Sequence, residues 1–193
     1  MKKVLALAGC IFLLCGCQCV NDMSIDDCLV FSKEVTKANT YRVGYKYYLP
    51  DRLLVDSTGD FTQVLSNDKY NFYLYVDVVS HLNKTKFEFD EKPNAYYSKK
   101  FKFDDKIGYI EINSKENDKY LIEIMYNYAK IEVMVDASDL NATVITAVNV
   151  LNNIVYNDIA IENYFGDDVL NYTEEDFDIF KTEEKSEEYL DFE

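Results

Sequence analysis

Tryptophan is absent from this 193-residue chain, histidine occurs once, and there are only two prolines and six glycines. So little glycine and proline excludes a collagen-like chain. Positive charge is also scarce: 20 Lys and Arg stand against 35 Asp and Glu, a net of −15. Phosphate neutralisation needs clustered Lys and Arg, so no nucleic-acid partner is expected. A single histidine and no paired Cys or Cys/His spacing leave no zinc motif, and neither a metal nor a cofactor is expected. What the chain does have is apolar content, 48% of residues, which is too much for disorder throughout. It also has 17 tyrosines, a number that an AT-rich genome would inflate.

The most informative segment is the first. After Lys2-Lys3, residues Val4 to Gly16 form an apolar run of thirteen. As a helix that is about 20 Å, short of the roughly 30 Å hydrocarbon core of a bilayer. A cationic start, a short apolar middle and a small residue before the cut are the secretory pattern. Leu14-Cys15-Gly16-Cys17 resembles the lipobox of bacterial lipoproteins, where a small residue precedes the cysteine that is lipidated. The resemblance implies loss of residues 1–16 and a diacylglyceryl thioether on Cys17. It also implies a protein lipid-anchored on the extracytoplasmic face of the cell membrane. Two acyl chains hold such an anchor, at about 0.8 kcal/mol per buried methylene. Leu7-Ala8-Gly9-Cys10 is similar but follows too short an apolar stretch, and Cys19 follows the bulky, polar Gln18. After processing only Cys19 and Cys28 remain as thiols. A small disulfide loop between them is sterically allowed, although two unpaired cysteines is the preferred reading.

Loss of Lys2 and Lys3 takes the net charge from −15 to −17, and from Glu162 onward thirteen Asp and Glu face two Lys. Acidity is therefore concentrated at the end of the chain. The expected organisation is a signal peptide at 1–16, a lipidated tether at 17–40, one α/β domain at 41–164 and an acidic, disordered tail at 165–193. Within the tether, Asp26 to Phe31 can begin a short helix.

The expected fold class is α+β, an antiparallel sheet of about six to eight strands with an amphipathic helix packed on one face. Tyr41 to Tyr47 alternates and stops at Pro50. Leu53–Val55 and Phe61–Leu65 flank a turn containing Asp56, Gly59 and Asp60. Asn71 to Leu82 reads as one strand burying Phe72, Leu74, Val76, Val78 and Ser80. Phe87–Phe89 and Tyr97–Phe103 bracket Pro93-Asn94, and Tyr109–Ile112 and Tyr120–Tyr126 bracket a polar loop. Ile122 and Ile124 share one parity but Ile131, Val133 and Val135 share the other, so a turn or bulge near Asn127-Tyr128 must restore a common face. Leu140, Val144, Ala147, Val148 and Leu151 make a helical stripe over Asp139 to Ile154, with Ser138 or Asp139 as N-cap. Tyr156 to Tyr164 reads as a last strand.

A strand ending at Pro50, a run of antiparallel strands and a late helix carrying Val150-Leu151-Asn152-Asn153-Ile154 resembles the PsbP-like layout over roughly residues 41–160. The tryptophan usual after that proline is missing here. The resemblance implies sheet plus helix and a lipid-tethered accessory or assembly role. An open β-sandwich is the rival topology.

No catalytic constellation stands out. His81, placed at a strand end, points away from neighbouring Ser80. Asp56 with Asp60, and Asp104-Asp105, read as turns rather than cation sites. Tyr45, Tyr47, Tyr73, Tyr75, Tyr126 and Tyr128 can compose an aromatic binding face, or simply reflect strand preference. The tail sets Phe177, Phe180, Tyr189 and Phe192 among acids, as docking segments do, and Thr173 with Asp176 resembles a capping box. These four aromatics are the candidate partner-binding residues. The expected function is non-enzymatic: a lipid-anchored envelope protein that binds or positions a partner. A surface hydrolase using carboxylates, or a solute- or glycan-binding protein, is the alternative.

Overall fold

The structure, a computed structural model, describes residues 20–32 and 34–166. Cys17, Cys19 and the tail aromatics Phe177, Phe180, Tyr189 and Phe192 lie outside the described residues, as do the signal-peptide boundary and the Thr173–Asp176 pair.

The protein is α+β. Seven strands form one antiparallel sheet in the order β3-β4-β5-β9-β8-β7-β6. They are β3 (Leu54–Thr58), β4 (Thr62–Ser66), β5 (Asn71–Val76), β6 (Tyr97–Phe103), β7 (Lys106–Ser114), β8 (Lys119–Tyr126) and β9 (Ala129–Asp136). The turn expected near Asn127-Tyr128 is there: both residues are left-handed, at φ 56° and 60°. That backbone matches the twist of the flanking strands and closes β8 on β9 with Tyr126 opposite Ala129. Ile122, Ile124, Ile131, Val133 and Val135 consequently share one face and are fully buried.

Helix α3 (Leu140–Asn152) lies across that face on β8 and β9, burying Leu140, Val144, Ala147, Val148 and Leu151 as its stripe requires. Asp139 is its N-cap residue but makes no side-chain cap bond; the carboxylate instead accepts from Tyr70 Oη at 2.6 Å and Lys69 Nζ at 3.1 Å.

Several short segments differ from expectation. Within the tether expected over 17–40, the short helix expected from Asp26 to Phe31 is present, but it packs on the body instead of standing free of it. Helix α1 (Ile25–Phe31) buries Ile25, Cys28 and Leu29 and packs on α3. Ser24 and Asp27 form a complete capping box at its start, which satisfies donors that a seven-residue helix would otherwise leave orphaned. Asn141 Nδ2 donates to the Val20 and Met23 carbonyls, and Asn153 Oδ1 accepts from Thr36 N at 2.6 Å. The folded body therefore begins before residue 41.

The strand read over Tyr41 to Tyr47 is a hairpin, β1 (Thr40–Arg42) and β2 (Tyr45–Tyr47), turned at Gly44 with φ 81°. A Cβ on Gly44 would meet Ile161 Cγ1 at 2.5 Å, so both conformation and space demand glycine. The strand over 71–82 stops at Val76. Asp77 accepts from Ser80 N and caps helix α2 (Val78–Asn83), so His81 sits on a helix. Val78 and Leu82 suit a spacing of four as well as alternation, hence the misreading. Phe87–Phe89 forms no strand; β6 pairs along its whole length with β7 instead. Val155–Tyr156 forms β10 beside β2, completing a three-stranded sheet, and the rest of the expected last strand is helix α4 (Asp158–Phe165). Asn157 caps α4, and Ile161 is its fully buried anchor.

Candidate functional site

A recess lined mainly by positive charge lies on the outer face of the large sheet, at the end where the β6–β7 and β8–β9 turns sit. Its geometry begins with α2. Lys84 ends that helix in the left-handed conformation at φ 52°, with its N–H on the His81 carbonyl and that of Thr85 on Ser80. This reversal sends Lys84, Thr85, Lys86 and Phe87 across the sheet rather than away from it. Lys100 projects from β6, its Nζ 5.4 Å from the centre of the Phe87 ring, in range for a cation–π contact. Asp105 and Lys106 come from the β6–β7 turn, and Asn127 and Tyr128 from the β8–β9 turn. Together they enclose a cleft of about 510 Å³.

Four lysines and one aspartate line this cleft, in a chain with a net charge of −15. Lys106 is committed: its Nζ donates to the Asn152 carbonyl at the end of α3, and burial lowers its pKa against the pull of Asp105 and Asp104. Lys84, Lys86 and Lys100 are exposed, and among the described residues none of them forms an ion pair. With Asp105 the one carboxylate among four lysines, the cleft carries a local excess of positive charge, which attracts anions.

His81 forms the wall behind them. Its ring stacks on Tyr156 at 3.8 Å between centroids and meets Tyr128 edge-on at 5.6 Å. Nε2 lies 2.9 Å from Asp158 Oδ1, and the buried Nδ1 has no partner. Burial lowers the His81 pKa, the Asp158 carboxylate opposes that shift, and the charge on Lys84 reinforces it. The ring is therefore held neutral, with Nε2–H donating to Asp158. One nitrogen is engaged and the other is sealed, so this histidine supports the cleft and offers no free nitrogen to a substrate.

Carboxylates also gather on the outer face, in a different way. Glu111, Glu123 and Glu132 lie directly opposite one another on β7, β8 and β9. Like charges so placed repel, and each is countered. Lys92 lies 2.9 Å from Glu111, Tyr109 Oη donates to Glu123 at 2.6 Å, and Lys130 lies 3.0 Å from Glu132. The segment carrying Phe89, whose ring stacks on Tyr109 at 4.1 Å, crosses this region. The row is a structural polar network and does not open as a pair of carboxylates in a cleft.

Other sequence candidates fall elsewhere. Tyr45, Tyr47 and Tyr126 are in the core, whereas Tyr73 and Tyr75 belong to the opposite sheet face from Phe72 and Leu74. The six tyrosines do not make one aromatic surface. Asp56 is exposed on β3 at a bulge, and Asp60 accepts from Tyr164 Oη at 2.7 Å. Among the described residues, no three acidic, Cys or His side chains gather as a metal site. Cys28 is a free thiol with no exposed surface, its pKa pushed up to about 11 by burial.

No family model, curated protein or solved structure matches this chain. Among the described residues, no helix is long and apolar enough to cross a membrane.

The cleft lysines belong to no catalytic residue pattern in the sequence. A signal exists nonetheless: residues 84–106 hold seven lysines against five Asp and Glu, a local excess of positive charge in an acidic chain. Only the fold shows that three of the seven face one recess with their charges unpaired.

Proposed function

We propose that this chain is a lipid-anchored protein of the bacterial envelope that binds a partner and does not transform a substrate. Cys17 carries the anchor, and the cleft of Lys84, Lys86 and Lys100 receives an anionic region of the partner. The accessory or assembly role implied by the PsbP-like resemblance belongs with this reading. The observation that carries it is the convergence of three exposed lysines, without carboxylate partners, on an aromatic wall in a strongly acidic molecule. A local excess of positive charge in a molecule of opposite net sign concentrates anions at the cleft.

Two measurements test this reading. Metabolic labelling with an acyl analogue is expected to mark the wild type and not Cys17→Ala; an unlabelled wild type retaining its leader removes the envelope location. A fluorescent hexaglutamate peptide is expected to bind the full chain. Affinity should drop at least tenfold in the double variant Lys84→Glu, Lys86→Glu and in 1 M salt, where screening acts within about 3 Å. Affinity indifferent to both changes removes the cleft as the recognition site.

A further inference from the structure

Resting on that reading, we infer that the lysine cleft is also the docking site of the chain's own acidic-aromatic segment, Glu174 to Phe180. The segment thereby competes in cis with any external anionic partner.

Three observations converge on this occupant. The first is where the described chain ends. Helix α4 begins at Asp158, whose carboxylate touches His81 on the wall of the cleft, and closes at its cap Gly166. Eight helical residues cover about 12 Å, so Gly166, where the described residues end, stands one short helix away from Asp158. The second is reach. Residues 167–173 can span about 24 Å extended, enough to travel back along α4 and deliver Glu174 to the cleft mouth. The third is complementarity of two kinds. Residues 167–193 contain twelve Asp and Glu against two Lys, the opposite sign to the cleft. Glu174, Glu175, Asp176 and Asp178 are interleaved with Phe177 and Phe180, and the cleft correspondingly sets lysines beside the Phe87 and Tyr128 rings. Carboxylates answer the ammonium groups while the aromatic side chains find apolar wall. A segment already attached binds at an effective concentration in the millimolar range, which favours it over a free anion of equal intrinsic affinity.

Zero-length carbodiimide cross-linking of the full chain, read by mass spectrometry, tests the inference. The expected products join Lys84, Lys86 or Lys100 to Glu174, Glu175, Asp176 or Asp178. Their yield should be unchanged on tenfold dilution and should fall several-fold in 1 M salt. Absence of these products, or tail carboxylates joined to other lysines instead, overturns the inference. A yield that falls with dilution also overturns it, because the segment then comes from a second copy. A variant confined to the segment gives a second test: Glu174→Gln, Glu175→Gln, Asp176→Asn and Asp178→Asn together. It should raise acetylation of Lys84, Lys86 and Lys100 and the affinity for hexaglutamate, each several-fold; no change in either overturns the inference. The two readings fail separately. If hexaglutamate binding needs the lysines but no cis products form, only the self-docking is lost. If cis products form but lysine reversal leaves hexaglutamate binding intact, the partner site is lost and the self-docking stands.

Discussion

On its inner face the large sheet presents Ile110, Ile122, Ile124, Ile131 and Val133 to α3, every one with no exposed surface. On its outer face the same strands present Glu111, Glu123 and Glu132, with Lys130 and Tyr109 among their neighbours and the lysine cleft at one end. Backbone, register and hydrogen bonding are common to both faces, so the contrast isolates what side chains contribute. Apolar burial without direction holds the inner face together. The outer face depends on pairing, where each charge is stable only while its counterpart stays in place. That dependence makes the outer face the responsive one, and its unpaired lysines the part on which the proposed partner site rests.

The inner face should be the costlier one to damage. Ile124→Ala removes a fully buried side chain and is expected to destabilise by about 4 kcal/mol, as large-to-small core changes do; urea unfolding measures it. A loss below about 1 kcal/mol would mean the two faces do not differ as described.

Next comes the outer network. Glu132→Ala removes the carboxylate 3.0 Å from Lys130, whose side chain is 13% exposed, and should destabilise by about 2–3 kcal/mol, less than for a fully sealed pair. Replacing both partners, Lys130→Met with Glu132→Leu, should recover most of that loss. If the double variant were worse than the single one, pairing would not be what stabilises this face.

A smaller effect lies in pH. His81 has a folded-state pKa below its ordinary 6.5, so just below 6.5 the unfolded chain binds more protons. Its contribution is complete above 6.5 and is lost as pH falls toward the lowered value. Asp26, Asp136 and Asp139, lowered from 3.8 by Lys and Tyr partners, keep theirs until pH falls below 3.8. Thermal midpoints should therefore drop first in a window below 6.5, and His81→Phe, which keeps the stack on Tyr156, should flatten that window alone. The smallest change is expected from Lys84→Ala with Lys86→Ala. Stability should stay within about 0.5 kcal/mol because these groups are exposed, while hexaglutamate binding is lost. A large loss of stability would mark the lysines as structural.

The inner face was largely legible in the sequence. The parity change between Ile124 and Ile131 located the β8–β9 turn, and the stripe from Leu140 to Leu151 located α3. Helix α1 was less legible because Ile25, Cys28 and Leu29 provide barely one apolar turn, although Ser24 and Asp27 had the spacing of a capping box. Val78 to Leu82 fitted both periods, so nothing local chose helix over strand before Asp77 was seen to cap it. Phe87 and Phe89 alternate as a strand would, yet their rings lie against the outer face without joining the ladder.

What the chain determined alone was the long alternating strands, the late helix, the turn between opposed parities and an excess of lysine over 84–106. These features repeat often enough for period and sign to be read without knowing any neighbour. Tertiary structure decided the conformation of most short segments, because a helix of six to eight residues cannot offset its own nucleation cost and takes its form from what it packs on. It also decided the cleft: lysines sixteen residues apart, at 84 and 100, share one recess because strand order and the reversal at Lys84 bring them there. Local pattern specifies which face is buried; only packing specifies which distant charges meet.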